Sequence, residues 1–255
     1  MRKLVYLLFI LNIASCSPLI KNSITLPTIV SHDILDNYTF LSEKIINFNN
    51  DDEKKLYDIR NGYSNGGMFL SVWNRKNISL KDDIALLSLY DDFNDNKNYG
   101  SEIRVNQGYL YGYFGTRMKV FKKEGTVQSF FTYNGGQYEH DEIDIEFLGK
   151  DTTKVQFNYF DDGIGNHEYL YDLGFDASED YHDYGFLWEQ NRIIWFVDFK
   201  PVYYVEATLE QWGFIYINVW AGNNENPSTQ KWLGTYIASE EKKYASYDYI
   251  SYKAI

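Results

Sequence analysis

Short runs of apolar and aromatic residues alternate with turn-forming clusters along most of the chain from Tyr38 onward. The clusters are rich in Gly, Asn and Asp, as in Asn65-Gly66-Gly67 and Asp161-Asp162-Gly163. Many short runs at this spacing, without a long helical period, predict an all-β fold, a β-sandwich or jelly roll. The predicted strands are Met68–Trp73, Ile84–Tyr90, Tyr109–Phe121, Ser129–Tyr133, Ile143–Phe147, Val155–Phe160, Arg192–Phe199 and Phe214–Trp220.

Two segments do not fit the strand pattern. The charged segment Asp51–Asp58 is predicted to be a helical turn or a charged loop, and Leu209–Trp212 another short turn. No internal repeat or linker interrupts residues 37–255, so this region is predicted to be one domain. Its aromatic content of 18%, with 24 Tyr and 17 Phe, also favours pleated sheets, because aromatic rings pack well on them.

The first residues resemble an export signal. Arg2 and Lys3 precede an apolar run, Leu4–Ile13, that is too short to span a bilayer but suits a signal peptide. The run ends in a segment similar to the lipobox of bacterial lipoproteins, and Cys16 is the only cysteine of the chain. We therefore expect a signal peptide and lipobox at residues 1–16, lipidation of Cys16, a tether at 17–36 and a catalytic domain at 37–255. The alternative is an ordinary cleaved signal peptide. Either way the protein is expected to be exported, and with the lipid it would be anchored at the bacterial cell surface or outer membrane without spanning it.

The net charge limits the partners. The chain carries 36 acidic and 24 basic residues, a formal net charge of −12. Such a surface repels nucleic acid and acidic polysaccharides, which favours a neutral partner.

The most informative segment for chemistry is Glu142–Phe147, in which acidic and apolar residues alternate with a period of two. A strand sends alternate side chains to opposite faces, so Glu142, Asp144 and Glu146 share one face. The outer two Cα atoms would lie about 13 Å apart, and glutamate side chains leaning together could bring their carboxyl groups to the roughly 5–5.5 Å of retaining glycosidases. A solvated acidic face or a cation site stays an alternative, although like charges in a row are costly and calcium sites more often use loops.

The segment Asp141–Tyr159 closely resembles the active-site region of bacterial lichenases, the β-1,3-1,4-glucanases of glycoside hydrolase family 16. The likeness continues in Gly62–Gly66, Ser129–Tyr133, Gly174–Ser178 and Trp232–Gly234, and covers nearly everything from Gly62 to about Tyr252. The resemblance implies a concanavalin-like β-jelly-roll sandwich of two antiparallel sheets with a concave substrate cleft, and a retaining double displacement.

By the same resemblance, Glu142 corresponds to the nucleophile, Asp144 to an assisting carboxylate and Glu146 to the acid/base. The implied substrate-binding residues are Tyr63, Asn65, Glu102, Arg104, Phe131, Tyr133, His140, Asn158, Asn218, Trp220 and Trp232. Ordinary packing or surface polarity is the alternative for each of them taken singly, above all for Phe131 and Trp220.

The sequence departs from the lichenase pattern at three places. His140 stands where lichenases usually carry Trp, which exchanges a stacking platform for a smaller titratable ring. Phe160 stands where Tyr is usual. The frequent disulfide of the family is absent, with Ser71 and Gly100 near the expected positions.

The resulting hypothesis is endo-hydrolysis of β-1,4 linkages in a mixed-linkage β-1,3-1,4-glucan, with no cofactor required for chemistry. A structural Ca²⁺ is implied by the resemblance, with Asp248 as candidate ligand. Three alternatives stay open: a β-1,3-glucanase, a xyloglucan hydrolase or transglycosylase, and a non-catalytic glycan-binding lipoprotein. Laminarinases tend to have one extra residue in the segment that corresponds to Asp144–Glu146, and this chain has none, as in lichenases and xyloglucan transglycosylases. The run Lys150–Tyr159 favours the lichenases over the xyloglucan enzymes. The protein is expected to be a monomer.

Overall fold

The computed structural model describes residues 45–48, 52–134 and 140–255. The predicted signal peptide, Cys16, the tether and the start of the predicted domain lie outside this part of the chain. The described strands are β1 Ile45–Ile46, β2 Tyr57–Ile59, β3 Val72–Trp73, β4 Ile78–Lys81, β5 Ile84–Asp92, β6 Lys97–Tyr109, β7 Gly112–Lys119, β8 Thr126–Tyr133, β9 Glu142–Leu148, β10 Lys154–Phe160, β11 Tyr169–Asp172, β12 His182–Glu189, β13 Arg192–Val197, β14 Lys200–Val205, β15 Gly213–Ala221 and β16 Lys243–Lys253. One α-helix, α1, spans Pro227–Leu233, and two 3-10 turns span Glu53–Lys55 and Arg75–Asn77.

The strands form two sheets that continue into each other through the hairpin of β5 and β6. The first sheet has the order β11-β10-β9-β8-β15-β6, with β2 at the far edge of β6. The second, here called the back sheet, has the order β5-β16-β7-β12-β13-β14, with β4 on β5 and β1 on β16. Among the described strands only β3, on β6, pairs in parallel. The all-β antiparallel fold class is therefore confirmed.

The main core lies between the two sheets. The alternation seen in β9 repeats on its neighbours, so that one apolar row crosses five strands: Phe157, Ile145, Phe130, Ile217 and Ile103. All five side chains are buried. Phe130 and Phe157 reach the back sheet, where their ring centroids lie 5.9 Å from Phe186 and 5.6 Å from Trp195. Burial of each such side chain contributes about 1.5–3 kcal/mol, so this row fixes which face of β9 is turned outward.

A smaller cluster lies on the opposite face of the first sheet, at the end of β8, β9 and β15. Trp73, Val127, Leu148, Trp220 and Leu233 are buried together there. Helix α1 covers this cluster. Asn226 caps its N-terminus, because the Asn226 side chain accepts hydrogen bonds from backbone N–H groups of the first turn, and Pro227 occupies the first helical position. The sequence pattern did not predict α1, because seven residues are too few to show a helical period.

The predicted and observed elements differ in several places. Met68–Trp73 contains only the two-residue strand β3, and Tyr109–Phe121 is split, because Tyr111 and Gly112 take positive φ values of 49° and 141°. The segment predicted as a turn or loop at Asp51–Asp58 holds a 3-10 turn and the start of β2. Within the described ranges, no helix is long and apolar enough to cross a membrane.

Candidate active site

The three acidic residues of β9 project from the face of the first sheet that is turned away from the core. This face is here called the carboxylate face. The strand register places one row of side chains beside each acid. The Glu146 row holds Gln156, Glu146, Ser129, Asn218 and Glu102; the Asp144 row holds Asn158, Asp144, Phe131, Tyr216 and Arg104; the Glu142 row holds Phe160, Glu142, Tyr133 and Phe214.

Glu142 is partly accessible, with 18% of its side chain exposed. Its Oε2 lies 2.6 Å from His140 Nε2. On the neighbouring strands it faces Tyr133 and Phe160. Burial and the charge of Glu142 raise the pKa of the Tyr133 hydroxyl, so this phenol stays neutral and can donate a hydrogen bond. Glu142 thus presents a partly exposed carboxyl group that contacts His140.

Asp144 is buried, with 4% of its surface exposed. Burial raises its pKa well above the ordinary value, and the neighbouring charges of Glu142 and Glu146 raise it further. A hydrogen bond shared with Glu142 acts in the same direction, while one with Asn158 opposes it. Asp144 is therefore held in its protonated form beside Glu142 and can donate to that carboxylate.

Glu146 lies at the other end of the trio. Burial raises the pKa of Glu146 to about 8, and the charges of Glu142 and Glu168 add to the rise. Gln156 Nε2 donates to Glu146 Oε2 at 2.8 Å, which favours the charged form and limits the shift. Trp232 Nε1 donates in turn to Gln156 Oε1 at 3.0 Å. Glu146 is thus an acid that keeps its proton at neutral pH, in a fixed orientation.

A polar network continues the Glu146 row across the sheet. Ser129 Oγ donates to Asn218 Oδ1 at 2.5 Å, and Asn218 Nδ2 donates to Glu102 Oε2 at 3.1 Å. Glu102 is 4% exposed, and burial raises its pKa to about 7 despite the opposing effects of Asn218, Arg60 and Arg104. Arg60 Nε lies 4.0 Å from Glu102 Oε1 and donates to the Tyr63 hydroxyl at 2.6 Å. Arg60 therefore connects Tyr63 to this row.

In the Asp144 row, two aromatic residues lie between Asp144 and Arg104. The rings of Phe131 and Tyr216 stack with centroids 5.0 Å apart, and Phe131 is 8% exposed. Arg104 NH2 donates to Asp58 Oδ2 at 2.9 Å, and its guanidinium lies 4.6 Å from the centroid of Phe214. Among the described residues, Arg104 Nε and the buried Asn158 Oδ1 have no hydrogen-bond partner. Both atoms lie on the carboxylate face.

Three of the predicted residues lie apart from the carboxylates. Asn65 accepts a hydrogen bond of 3.0 Å from Trp73 Nε1, outside the three rows. Trp220 is 3% exposed and packs in the cluster under α1, with Phe69 4.1 Å from its ring, so it offers almost none of its ring to a ligand. Asp248 lies on β16 of the back sheet.

Asp248, the predicted calcium ligand, is ion-paired with an arginine. Arg117 NH1 donates to Asp248 Oδ2 at 2.7 Å, so a guanidinium already neutralises this carboxylate. In the part of the chain that the structure describes, no group of three His, Cys, Asp or Glu side chains is placed to hold a metal ion. A calcium site at Asp248 would therefore need carbonyl oxygens or water as its other ligands.

Sequence reasoning missed several residues that the rows bring to the acids. They are Arg60, Ser129, Gln156, Phe160 as a contact of His140, Phe214 and Tyr216. The sequence did contain one signal, because residues two positions apart on a strand point to the same face. Gln156 therefore shares a face with the predicted residue Asn158 on β10, and Tyr216 shares one with Asn218 on β15. This spacing selects the face of a strand but not which strand lies beside it.

Comparisons with known proteins show the family of the chain. The profile of Glycosyl hydrolases family 16 matches residues 65–243. A beta-glucanase of Bacillus subtilis (strain 168) is 44% identical over 199 residues, which cover 75% of this chain and 78% of that protein. A xylanase/beta-glucanase of Ruminococcus flavefaciens is 44% identical over 171 residues, so that the match covers 63% of this chain but 21% of that much longer protein.

A solved structure shows the same fold. The crystal structure of a prokaryotic beta-1,3-1,4-glucanase (lichenase) derived from a mouse hindgut metagenome superposes with a TM-score of 0.77 at 44% identity, covering 83% of this chain and 99% of that one. The jelly-roll fold implied by the resemblance is thereby confirmed. The profile match over most of the chain, the close relatives and the shared fold lead to one conclusion: this chain belongs to glycosyl hydrolase family 16.

Proposed function

We propose that the protein is a retaining endo-glucanase that hydrolyses β-1,4 linkages in mixed-linkage β-1,3-1,4-glucan. The observation that carries the proposal is the set of three acids on one face of β9, with Glu142 accessible and the pKa of Glu146 raised to about 8. Two carboxyl groups in unlike environments are what acid-base division in a glycosidase requires. The substrate follows from relatives that are named beta-glucanase and lichenase.

In the first step, a carboxylate oxygen of Glu142 attacks the anomeric carbon. The bond between that carbon and the glycosidic oxygen breaks, and its electron pair goes to the oxygen, which takes the proton of Glu146. The raised pKa of Glu146 suits this role, because the group is still protonated at neutral pH. The product is a glycosyl ester on Glu142 and a departed sugar chain.

In the second step, Glu146 reverses its role. The ester has no negative charge, so the charge of Glu142, which raises the pKa of Glu146, is gone and that pKa falls. Glu146 then accepts a proton from water while the water oxygen attacks the anomeric carbon, and Glu142 leaves as a carboxylate. The configuration at the anomeric carbon is retained after two inversions.

Asp144 assists by controlling charge. Its raised pKa keeps it protonated, so the face does not carry three adjacent negative charges. As a donor to Glu142 it stabilises the nucleophile before attack and the leaving carboxylate in the second step.

The rest of the carboxylate face suits a neutral sugar chain. Tyr133, Asn158, Glu102 and Arg104 present groups that can bond hydroxyls, and Trp232 presents a partly exposed indole edge near Glu146. Sugar rings can stack on aromatic faces while their hydroxyls bond the polar side chains. The net charge of −12 agrees with an uncharged substrate.

The test is reducing-sugar release from barley β-glucan, laminarin and xyloglucan by wild type, Glu142→Gln and the control Glu179→Gln. Glu179 is exposed on the turn after Asp176 and belongs to none of the three rows on the carboxylate face. We expect release from barley glucan by wild type and the control, and a loss of at least about 10³-fold for Glu142→Gln. Equal activity of the variant would remove the assignment. Preference for laminarin or xyloglucan would favour the corresponding alternative enzyme, and tight oligosaccharide binding without release would favour the glycan-binding lipoprotein.

We also propose that the chain is exported and anchored through lipidated Cys16, and that the domain is monomeric. The sequence supports the anchor, because the apolar run Leu4–Ile13 is followed by the single cysteine of the chain, Cys16. Labelling with a fatty-acid analogue should mark the wild type and not Cys16→Ser, and both should sediment as monomers after detergent extraction.

The calcium ion stays a prediction, tested by whether added Ca²⁺ raises the melting temperature of wild type but not of Asp248→Asn.

A further inference from the structure

His140 contacts the carboxylate of Glu142 directly. The two residues are separated by Asp141 alone, and His140 Nε2 lies 2.6 Å from Glu142 Oε2. The proposed role of Glu142 as nucleophile requires an ionised carboxylate, which can only accept, and in that case His140 Nε2 carries the hydrogen of this contact. The side chain of His140 is 23% exposed, and that of Glu142 is 18% exposed, so water competes little for the bond.

The ring of His140 is fixed from several sides. It stacks on Phe160, with centroids 5.0 Å apart and an interplanar angle of 13°, and meets Tyr133 edge-on at 4.8 Å. Its carbonyl accepts a hydrogen bond of 2.7 Å from the backbone N–H of Gly163. Strand β8, strand β10 and the turn after β10 therefore hold the imidazole where it meets Glu142.

The backbone between the two residues is held as well. The carboxylate of Asp141 is buried and accepts backbone hydrogen bonds from Asp162 at 3.2 Å, from Glu210 at 2.8 Å and from Gln211 at 2.9 Å. These bonds join the start of β9 to the turn after β10 and to the loop before β15.

We propose that His140 is a positioning residue that orients Glu142 through its Nε2–H and that Phe160 supports it by stacking. The inference rests on the proposed function of Glu142 as nucleophile. The contact at Oε2 restricts the orientation of the Glu142 carboxyl group, and the proposed attack on the anomeric carbon requires a fixed orientation. Both residues are departures from the usual lichenase pattern, which has Trp and Tyr at these positions, and the structure shows that the two departures touch each other.

A matched pair of variants separates positioning from packing. His140→Gln keeps an N–H donor at a similar reach, and His140→Met keeps the volume and length of Gln but has no donor. We expect His140→Met to lower kcat on barley glucan about 10- to 100-fold, the effect of one charge-assisted hydrogen bond, with KM within about twofold. His140→Gln should recover most of kcat. Wild-type kcat in His140→Met, or an equal loss in both variants at unchanged melting temperature, would overturn the proposal.

A spectroscopic measurement tests the contact without using turnover. The chain has four histidines, His32, His140, His167 and His182, so their imidazole ¹⁵N signals can be assigned one by one. We expect His140 to carry its hydrogen on Nε2 and its signals to move in Glu142→Gln but not in Glu179→Gln. Hydrogen on Nδ1 alone, or no response to Glu142→Gln, would overturn the contact. If wild type hydrolyses no glucan, the proposed function fails, whereas this result still decides whether His140 holds Glu142.

Discussion

Gln156 donates a hydrogen bond of 2.8 Å to Glu146 and receives one of 3.0 Å from Trp232. The amide therefore connects an indole of the helix α1 to the proposed general acid. Because the donor favours the ionised form, Gln156 holds the pKa of Glu146 lower than burial alone would set it. This relationship makes the acidity of the site adjustable by a residue that takes no part in bond breaking.

Replacement of Gln156 by Met should shift the pH profile. Without the donor, the pKa of Glu146 rises, so the acid stays protonated to higher pH and the alkaline limb of kcat/KM moves upward by about one pH unit. The measurement is the pH profile on barley glucan for wild type, Gln156→Met and the control Gln190→Met, an exposed residue on the turn between β12 and β13. A downward shift for Gln156→Met would contradict the account.

The raised pKa of Glu146 also predicts how stability depends on pH. Its pKa is 4.5 in an unfolded chain and about 8 in the folded protein, so between these values the folded state binds more protons and stability falls as pH rises. Glu146→Gln cannot ionise, and should therefore gain about 1–3 kcal/mol relative to wild type at pH 8 but little at pH 4. Urea unfolding at the two pH values measures this. A gain that is equal at both would show that ionisation of Glu146 is not involved.

Glu102 should act in binding. It lies on the carboxylate face, bonded to Asn218, and contacts neither Glu142 nor Glu146 in the hydrogen bonds described. Glu102→Gln should raise KM for barley glucan about three- to tenfold and leave kcat within about twofold, since one hydrogen bond to substrate is weakened in ground and transition states alike. The matched control is Glu189→Gln, an ion-paired glutamate of the back sheet. A loss confined to kcat would assign Glu102 a role in the chemical step instead.

The apolar side of β9 should determine stability rather than specificity. Ile145 lies between Asp144 and Glu146 along β9, but its side chain points to the opposite face of the sheet and is fully buried. Ile145→Ala should cost about 2–5 kcal/mol of unfolding free energy, by lost burial and by the cavity left behind. Ile237→Ala, at a residue 74% exposed, should change it by no more than about 0.5 kcal/mol. Similar losses of unfolding free energy in the two variants would show that the buried apolar row does not stabilise β9.

The alternation in β9 could be read from the sequence because a strand turns each residue to a known side. The observed bounds of β9 and β10 are likewise close to those of the predicted strands Ile143–Phe147 and Val155–Phe160. The longest strand, β6, was not predicted, because Lys97–Tyr109 mixes polar residues and glycines with few apolar ones. Two of its polar residues, Glu102 and Arg104, lie on the carboxylate face, and the pairing with β15 explains their placement.

Contacts between distant segments of the chain could not be predicted from the sequence. Arg60 reaches Glu102 because β2 pairs with β6, a register that no local pattern specifies. His140 and Phe160 were visible only as separate departures from the lichenase pattern. Their contact arises because Phe160 faces Glu142 across the β9–β10 pair, which brings the ring beside the histidine that precedes the strand.

The most direct test of the account is the anomeric configuration of the first product. Time-resolved ¹H NMR of wild type acting on mixed-linkage barley glucan should show the β-anomer of the new reducing end before mutarotation, as expected if Glu142 forms an ester and Glu146 serves first as acid and then as base. Initial formation of the α-anomer would mean a single displacement by water, and would contradict the roles given to the three acids of β9.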